Sequence, residues 1–356
     1  MIYLDSGATT LEKPPAVARA MAQAVGEMSS PGRGNYPASQ KAARTAYDCR
    51  EAAAELFHVP APEQVIFTCN ATHGLNIAIR TLVRPGCRVA VSGYEHNAVT
   101  RVLHSIPGVE IMVADAPLFR PEQTLEGFHT ALRRGVDAVI CNHVSNVFGC
   151  VQPVEELAGL CRQTHTPLIV DASQSAGILP VLLADWGAAF VAMPGHKGLY
   201  GPQGTGLLLC GAEASPLLYG GTGSASRRQT MPIDLPDRLE AGTHNMPGIA
   251  GLLEGLRFVS HAGVERIAQW ERRLTRRAEE GLARLPGVEV FADKTGQGQT
   301  GVLSFCVKGM DCEQVGEELA RRQIAVRAGL HCAPLAHRTA GTLKSGTIRI
   351  SPSVFN

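Results

Sequence analysis

The sequence predicts an α/β protein: a doubly wound, mostly parallel sheet joined to a smaller α+β domain. Three observations predict it. Short apolar runs that read as buried strands alternate with longer helical stretches from residue 41 to residue 210, and such alternation builds a parallel sheet with crossover helices. Two of these runs, 168–171 and 188–193, end in polar turns, Asp171-Ala172-Ser173-Gln174 and Gly195-His196-Lys197-Gly198. Ligands of open sheets collect at such strand ends. After residue 248 the pattern changes to a connecting helix, one long helix and then short strands and helices.

The 356 residues are 45% hydrophobic and 18% charged, enough for a large core shared by two domains. The expected division is a large domain over 16–254 and a small one made of 1–15 and 255–356. A net charge of +1 argues against a nucleic-acid or membrane surface. No apolar run is long enough to span a bilayer. The start, Met1-Ile2-Tyr3-Leu4-Asp5, has neither the basic region nor the apolar core of a signal peptide, so the expected location is cytoplasmic. Ten cysteines are scattered without a Cys-x-x-Cys pair. They read as reduced thiols, with Cys69, Cys141 and Cys210 at strand positions.

In chain order, residues 3–10 form a short strand and turn, and Pro14 and Pro15 open a helix. A Gly/Pro loop over 29–39 carries Arg33 and Asn35. Alanine content and periodicity predict a helix over 41–57. A strand over 64–69 runs into Asn70-Ala71-Thr72-His73 at the head of the next helix, where free N–H groups and the Thr72 hydroxyl suit a phosphate. Thr72 also suits a helix cap. A strand over 88–92 leads to Glu95-His96-Asn97, and one over 137–143 leads to Asn146. His96 is equally a cap residue, and Asn146 a turn residue before Gly149. A crossover helix over 153–164 follows, then the strands at 168–171, 188–193 and 206–210. Residues 211–236 are rich in Gly and Ser and read as mobile. Helices over 248–261 and 264–285 come next, the second amphipathic with a solvated Arg/Glu face. Segments 301–307, 312–322, 324–327 and 347–350 alternate strand and helix and make the small domain.

Two residues define the chemistry. Lys197 ends a buried strand between glycines, and desolvation turns a lysine into a nucleophile. Asp171 ends another strand, where a carboxylate can pair with a protonated pyridine nitrogen. A lysine and such an acid are the parts a pyridoxal 5′-phosphate (PLP) site needs.

Asp171-x-x-Gln174 with Gly195-His196-Lys197-x-x-Tyr200-Gly201-Pro202 resembles the fold-type I, class V aminotransferases, and more narrowly their cysteine desulfurase and selenocysteine lyase branch. The likeness runs from Tyr3 to Arg349. It implies a seven-stranded, mostly parallel sheet in the large domain and PLP as cofactor. Ala71, Thr72, His73, His96, Asn146, Asp171, Gln174, His196 and Lys197 then surround the cofactor, and His96 stacks on its ring and moves protons. Thr243, in Glu240-Ala241-Gly242-Thr243-His244-Asn245, is expected to reach the phosphate held by a second subunit, which implies a homodimer. Asn146, Arg349 and Arg33 are expected at the substrate, with the Arg349 fork on its carboxylate. Pro194 stands where the family has a phosphate-binding Ser, so His73 and His196 become the replacement candidates. Gly7 stands where the family has Ala. The family also adds a closing helix after the Arg349 strand, which a sequence ending at Asn356 is expected to omit.

The loop Arg327-Ala328-Gly329-Leu330-His331-Cys332-Ala333 resembles the one that carries the persulfide-forming cysteine of desulfurases. The resemblance implies L-cysteine as substrate, L-alanine as product and a persulfide on Cys332 for an acceptor protein. Arg327, His331 and His337 are candidates to favour the thiolate. Selenocysteine lyase, cysteine sulfinate desulfinase, a true aminotransferase and a weakly active PLP-binding scaffold in a sulfur relay are the other readings. No metal site is expected, since His331, Cys332 and His337 lack a fourth ligand at suitable spacing.

Overall fold

The computed structural model describes residues 1–32, 34–296 and 298–356. Arg33 therefore lies outside the described residues. The chain opens with β1 (Ile2–Tyr3), α1 (Pro15–Glu27) and α2 (Pro37–Leu56). Then come β2 (Val65–Thr68), α3 (Ala71–Leu82), β3 (Arg88–Ser92), α4 (Asn97–His104), β4 (Glu110–Ala114), α5 (Pro121–Arg133) and β5 (Ala138–Asn142). The large sheet is completed through α6 (Val154–Gln163), β6 (Leu168–Asp171), α7 (Leu183–Trp186), β7 (Phe190–Pro194) and β8 (Gly206–Cys210).

The seven strands lie in the order β2-β8-β7-β6-β5-β3-β4. Only β8 runs antiparallel to its neighbours; the other pairings are parallel. The sheet is thus mostly parallel, as expected. Its central strands are buried along their whole length, which is why they read as continuous apolar runs rather than alternating ones. One core fills the face under α2, α5, α6 and the later helix α8 (Met246–Ala262), and a second fills the face under α3 and α4.

The second part begins with α8 (Met246–Ala262), which packs on α1 and α2, and α9 (Val264–Leu282). It continues through β9 (Val288–Phe291), β10 (Leu303–Val307), α10 (Cys312–Arg321), β11 (Ile324–Ala325), β12 (Arg327–Gly329), α11 (Pro334–Thr339) and β13 (Thr347–Ile350). The expected single strand over 324–327 is in fact two. Ile324 and Ala325 pair with Ile2 and Tyr3, whereas Arg327–Gly329 pairs with β13. The chain changes sheet at Val326, so one run of strand residues serves two ladders. Between Cys210 and Met246 no helix or strand forms. No helix among the described residues is long and apolar enough to cross a membrane.

Candidate active site

The parallel strands β3, β5, β6, β7 and β2 all finish at one edge of the sheet, and the turns that follow them line a single cavity. Ala71 and Thr72 come from the head of α3, His96 from the turn after β3, and Asn146 from the turn after β5. Asp171, Ser173 and Gln174 follow β6, and Pro194, His196 and Lys197 follow β7. The geometry brings together all but one of the cofactor-side residues expected from this chain's own turns.

Lys197 is held by a tight loop. A Cβ at Gly195 would lie 2.2 Å from Thr205 Oγ1, and one at Gly198 would lie 2.4 Å from the Ala176 carbonyl oxygen. Only glycine permits these approaches. Burial pulls the Lys197 amine down to about 8, against a smaller opposing effect of Asp171. Asp171 Oδ1 accepts hydrogen bonds from the Ser173 backbone N–H, at 2.9 Å, and from the Ser173 hydroxyl. Its Oδ2 makes no hydrogen bond among the described residues. Gln174 Nε2 donates to the Gly7 carbonyl at 2.9 Å, tying the N-terminal turn to the cavity.

His96 both caps and lines. Its Nδ1 accepts the Ala98 N–H at 3.0 Å, which puts the proton of the neutral ring on Nε2. Burial lowers its pKa, and nearby Asp171 opposes that shift. The cap of α3 is Asn70, whose Oδ1 accepts the His73 N–H at 2.9 Å. The Thr72 hydroxyl is therefore free of capping duty and stays exposed at the cavity.

The two histidines separate. His73 does not line the cavity: its Nδ1 accepts the Cys69 N–H at 3.4 Å, and burial lowers its pKa. His73 thus sits away from the cavity, with burial disfavouring its charged form. His196 does line the cavity, beside Pro194, and its Nδ1 is buried without a hydrogen-bond partner. Burial pulls its pKa down to about 4, helped by Lys197 and Lys13, so it acts there as a neutral donor or acceptor.

These residues fit PLP. The unpartnered Asp171 Oδ2 suits a pyridinium N–H, the depressed amine of Lys197 suits a carbonyl, and the orphaned His196 Nδ1 with Thr72 and the head of α3 suits a phosphate.

Cys332 sits on the β12–α11 connection and is exposed. His331 and Cys332 both have left-handed backbone, with φ of 50° and 56°, a conformation costing roughly 1–3 kcal/mol per non-glycine residue. Two clamps from the cavity side hold it: Asn97 N–H donates to the Cys332 carbonyl, and Asn146 Nδ2 to the His331 carbonyl, each at 2.8 Å. The expected cationic help from His331 and His337 is corrected by burial. It drives His331 down to about 3 and His337 to about 4, and both rings are spent on Thr347 and Thr342. Arg327 keeps its charge in an ion pair with Asp5 at 2.8 Å and shares an electrostatic contact with Cys332.

Arg349 is buried behind the cavity rather than lining it. Its Nη2 donates to Asp5 Oδ1 at 2.9 Å, its Nη1 donates to the Asn146 carbonyl at 2.8 Å, and its Nε has no partner. Thr243 is exposed and does not line this cavity. Among the described residues no three His, Cys, Asp or Glu side chains converge as metal ligands. Sequence reasoning passed over Ser173 and Asn142, which line the cavity, and Asp5, which holds both Arg327 and Arg349. Ser173 was detectable as the i+2 partner of a strand-end Asp; Asp5 was not, being more than 300 residues from its arginines.

The aminotransferase class-V family model matches residues 2–356. A probable cysteine desulfurase of Methanothermobacter thermautotrophicus is 32% identical over 370 residues, covering 100% of this chain and 90% of the relative. The apo structure of a cysteine desulfurase from Thermococcus onnurineus superposes with a TM-score of 0.90 at 30% identity, over 100% of this chain and 90% of that one. A cysteine desulfurase structure from Escherichia coli gives 0.83 at 27% identity, over 99% and 90%.

Proposed function

Because this chain belongs to the class-V aminotransferase family, and its relatives are named cysteine desulfurases, we propose that it is a PLP-dependent cysteine desulfurase that turns L-cysteine into L-alanine and keeps the sulfur as a persulfide on Cys332. The observation that carries this reading is the Cys332 loop, an exposed thiol whose left-handed backbone is held by Asn146 of the cavity wall and by Asn97, the residue after His96. When bound, PLP supplies an electron sink that stabilises negative charge at the substrate carbons.

The protein's own groups do the rest. Asp171 holds the ring nitrogen charged, and His96 covers the ring. Thr72, His196 and the head of α3 bind the phosphate. Arg349, anchored by Asp5, turns remaining guanidinium N–H donors to the substrate carboxylate. Lys197 removes the proton from Cα and returns one to the product. Cys332 Sγ attacks the substrate sulfur: an S–S bond forms, the Cβ–S bond breaks, and its electron pair stays on the substrate carbon, where protonation gives alanine. The test is to incubate the PLP-loaded protein with L-cysteine and a thiol reductant. Alanine and sulfide should appear in equal amounts, and faster than alanine from cysteine sulfinate; keto-acid formation without alanine would mark an aminotransferase instead.

Thr243, exposed and away from its own cavity, is read as a phosphate ligand for a second copy, so the working form is a cytoplasmic homodimer. Light scattering on the active enzyme should give twice the chain mass of 37.8 kDa; a stable monomer with full turnover would refute the role of Thr243. The exposure of Cys332 also supports delivery of sulfur to an acceptor protein.

A further inference from the structure

Glu95 precedes His96, is completely buried, and plays no part in the mechanism above. Its Oε1 lies 2.6 Å from Ser92 Oγ and accepts the Asn142 N–H at 2.7 Å. Ser92 Oγ is also 2.7 Å from Asn142 Oδ1 and accepts the Tyr94 N–H at 3.2 Å. The amide of Asn142 is oriented by its Nδ2, which donates to the Tyr94 carbonyl at 2.9 Å. Turned the other way, it would set two carbonyl oxygens at that distance. Asn142 Oδ1 therefore needs a donor, and among the described residues Ser92 is the one that offers a hydrogen to it. A hydroxyl carries one hydrogen and two lone pairs. With its hydrogen given to Asn142, Ser92 can meet Glu95 at 2.6 Å only if Glu95 brings a proton of its own.

We propose that Glu95 is a protonated carboxylic acid in the resting enzyme, and that its Oε1–H, donated to Ser92 Oγ, is the clasp that locks the ends of β3 and β5 and positions His96 and Asn142 in the cavity. In this state every hydrogen-bonding site of the Ser92 hydroxyl is used. The remaining Glu95 oxygen, Oε2, is buried with no partner, a burden a carbonyl bears far better than a carboxylate. Burial pushes the Glu95 pKa up to about 8, against the lowering effect of its contacts with Ser92 and Asn142 and with a smaller push from Asp171. The titratable groups facing it are Asp171 on β6 and Cys141 on β5, whose thiol burial raises well above its ordinary value. Neutral Glu95 thus adds no second negative charge beside Asp171. Its value to the site rests on the cofactor roles of Asp171 and His96; its protonation does not.

The test is the infrared difference spectrum of wild-type holoenzyme minus Glu95→Gln at neutral pH. It should show a protonated-carboxyl stretch that shifts in D2O and fades as pH rises through about 8. A pair of carboxylate bands in its place would overturn the proposal. Neither amide atom of glutamine can do both jobs of a protonated Oε1, because the amide oxygen cannot donate to Ser92 Oγ and the amide nitrogen cannot accept the Asn142 N–H, so Glu95→Gln at neutral pH should bind PLP several-fold more weakly than wild type; unchanged affinity would overturn the clasp. Ser92→Ala removes the acceptor and guards against a Glu95→Gln variant that fails to fold. The wild-type band should persist in it at a shifted frequency, and an unshifted band would again refute the clasp. Neither infrared result depends on which amino acid the enzyme turns over.

Discussion

Lys197→Ala is expected to yield a folded protein that no longer retains PLP covalently: borohydride should fix no cofactor to the chain, and the visible band of the bound cofactor should be lost. Cysteine turnover should fall by at least the ~10²–10⁴-fold that a positioned base contributes. The argument rests on burial. The Lys197 amine is pulled down from its ordinary value to about 8, so near neutrality a useful fraction is already the free amine that can attack a carbonyl. The sign gives a second measurement on the wild-type apoprotein. Capture of added PLP should quicken as pH rises toward about 8 and level off above it, because the amine is then unprotonated. A lysine in water would go on gaining rate to about pH 10. Mutant protein that still binds PLP covalently, or a capture rate climbing steadily past pH 9, would remove Lys197 from the role.

The part of the site that depends on strand ends was legible in the sequence. A parallel sheet delivers the residues after each strand to one edge, so Asp171, Lys197, His96 and Thr72 could be placed near one another from their positions after apolar runs. What depended on tertiary burial was not. His331 and His337 read as cations beside Cys332, but burial drives them down to about 3 and about 4 and leaves them neutral, against the opposing pull of their contacts with Thr347 and Thr342. His73 and His196 read as equal substitutes for the hydroxyl lost at Pro194; only the fold shows that one faces Cys69 and the other the cavity. The same holds for Val326, where a run with a single strand-like composition divides between two ladders. Composition records that residues want to pair, not which strand they will find.

Cys332→Ala separates binding from sulfur abstraction. Holding the cofactor and the amino acid needs Lys197, Asp171 and Arg349, none of which touches the thiol's chemistry. The variant should still take up PLP and change its visible spectrum on adding cysteine, with an affinity close to that of wild type. The two clamps act on the backbone carbonyls of His331 and Cys332, so removing Sγ leaves the loop where it is. Alanine and sulfide release should nonetheless drop by roughly 10³-fold, about 4 kcal/mol of barrier at 1.36 kcal/mol per tenfold. The reason is chemical. With no sulfur nucleophile to accept the departing atom, the Cβ–S bond has no partner through which to break. Selenocysteine offers the internal control. Selenium leaves carbon more readily and depends less on a protein nucleophile, so the same variant should keep a much larger share of its selenocysteine turnover. A loss confined to cysteine identifies Cys332 as the sulfur acceptor, because a variant damaged in cofactor binding or loop position would lose both substrates alike. Cysteine turnover at the wild-type rate would make Cys332 a bystander and reopen the lyase and aminotransferase readings.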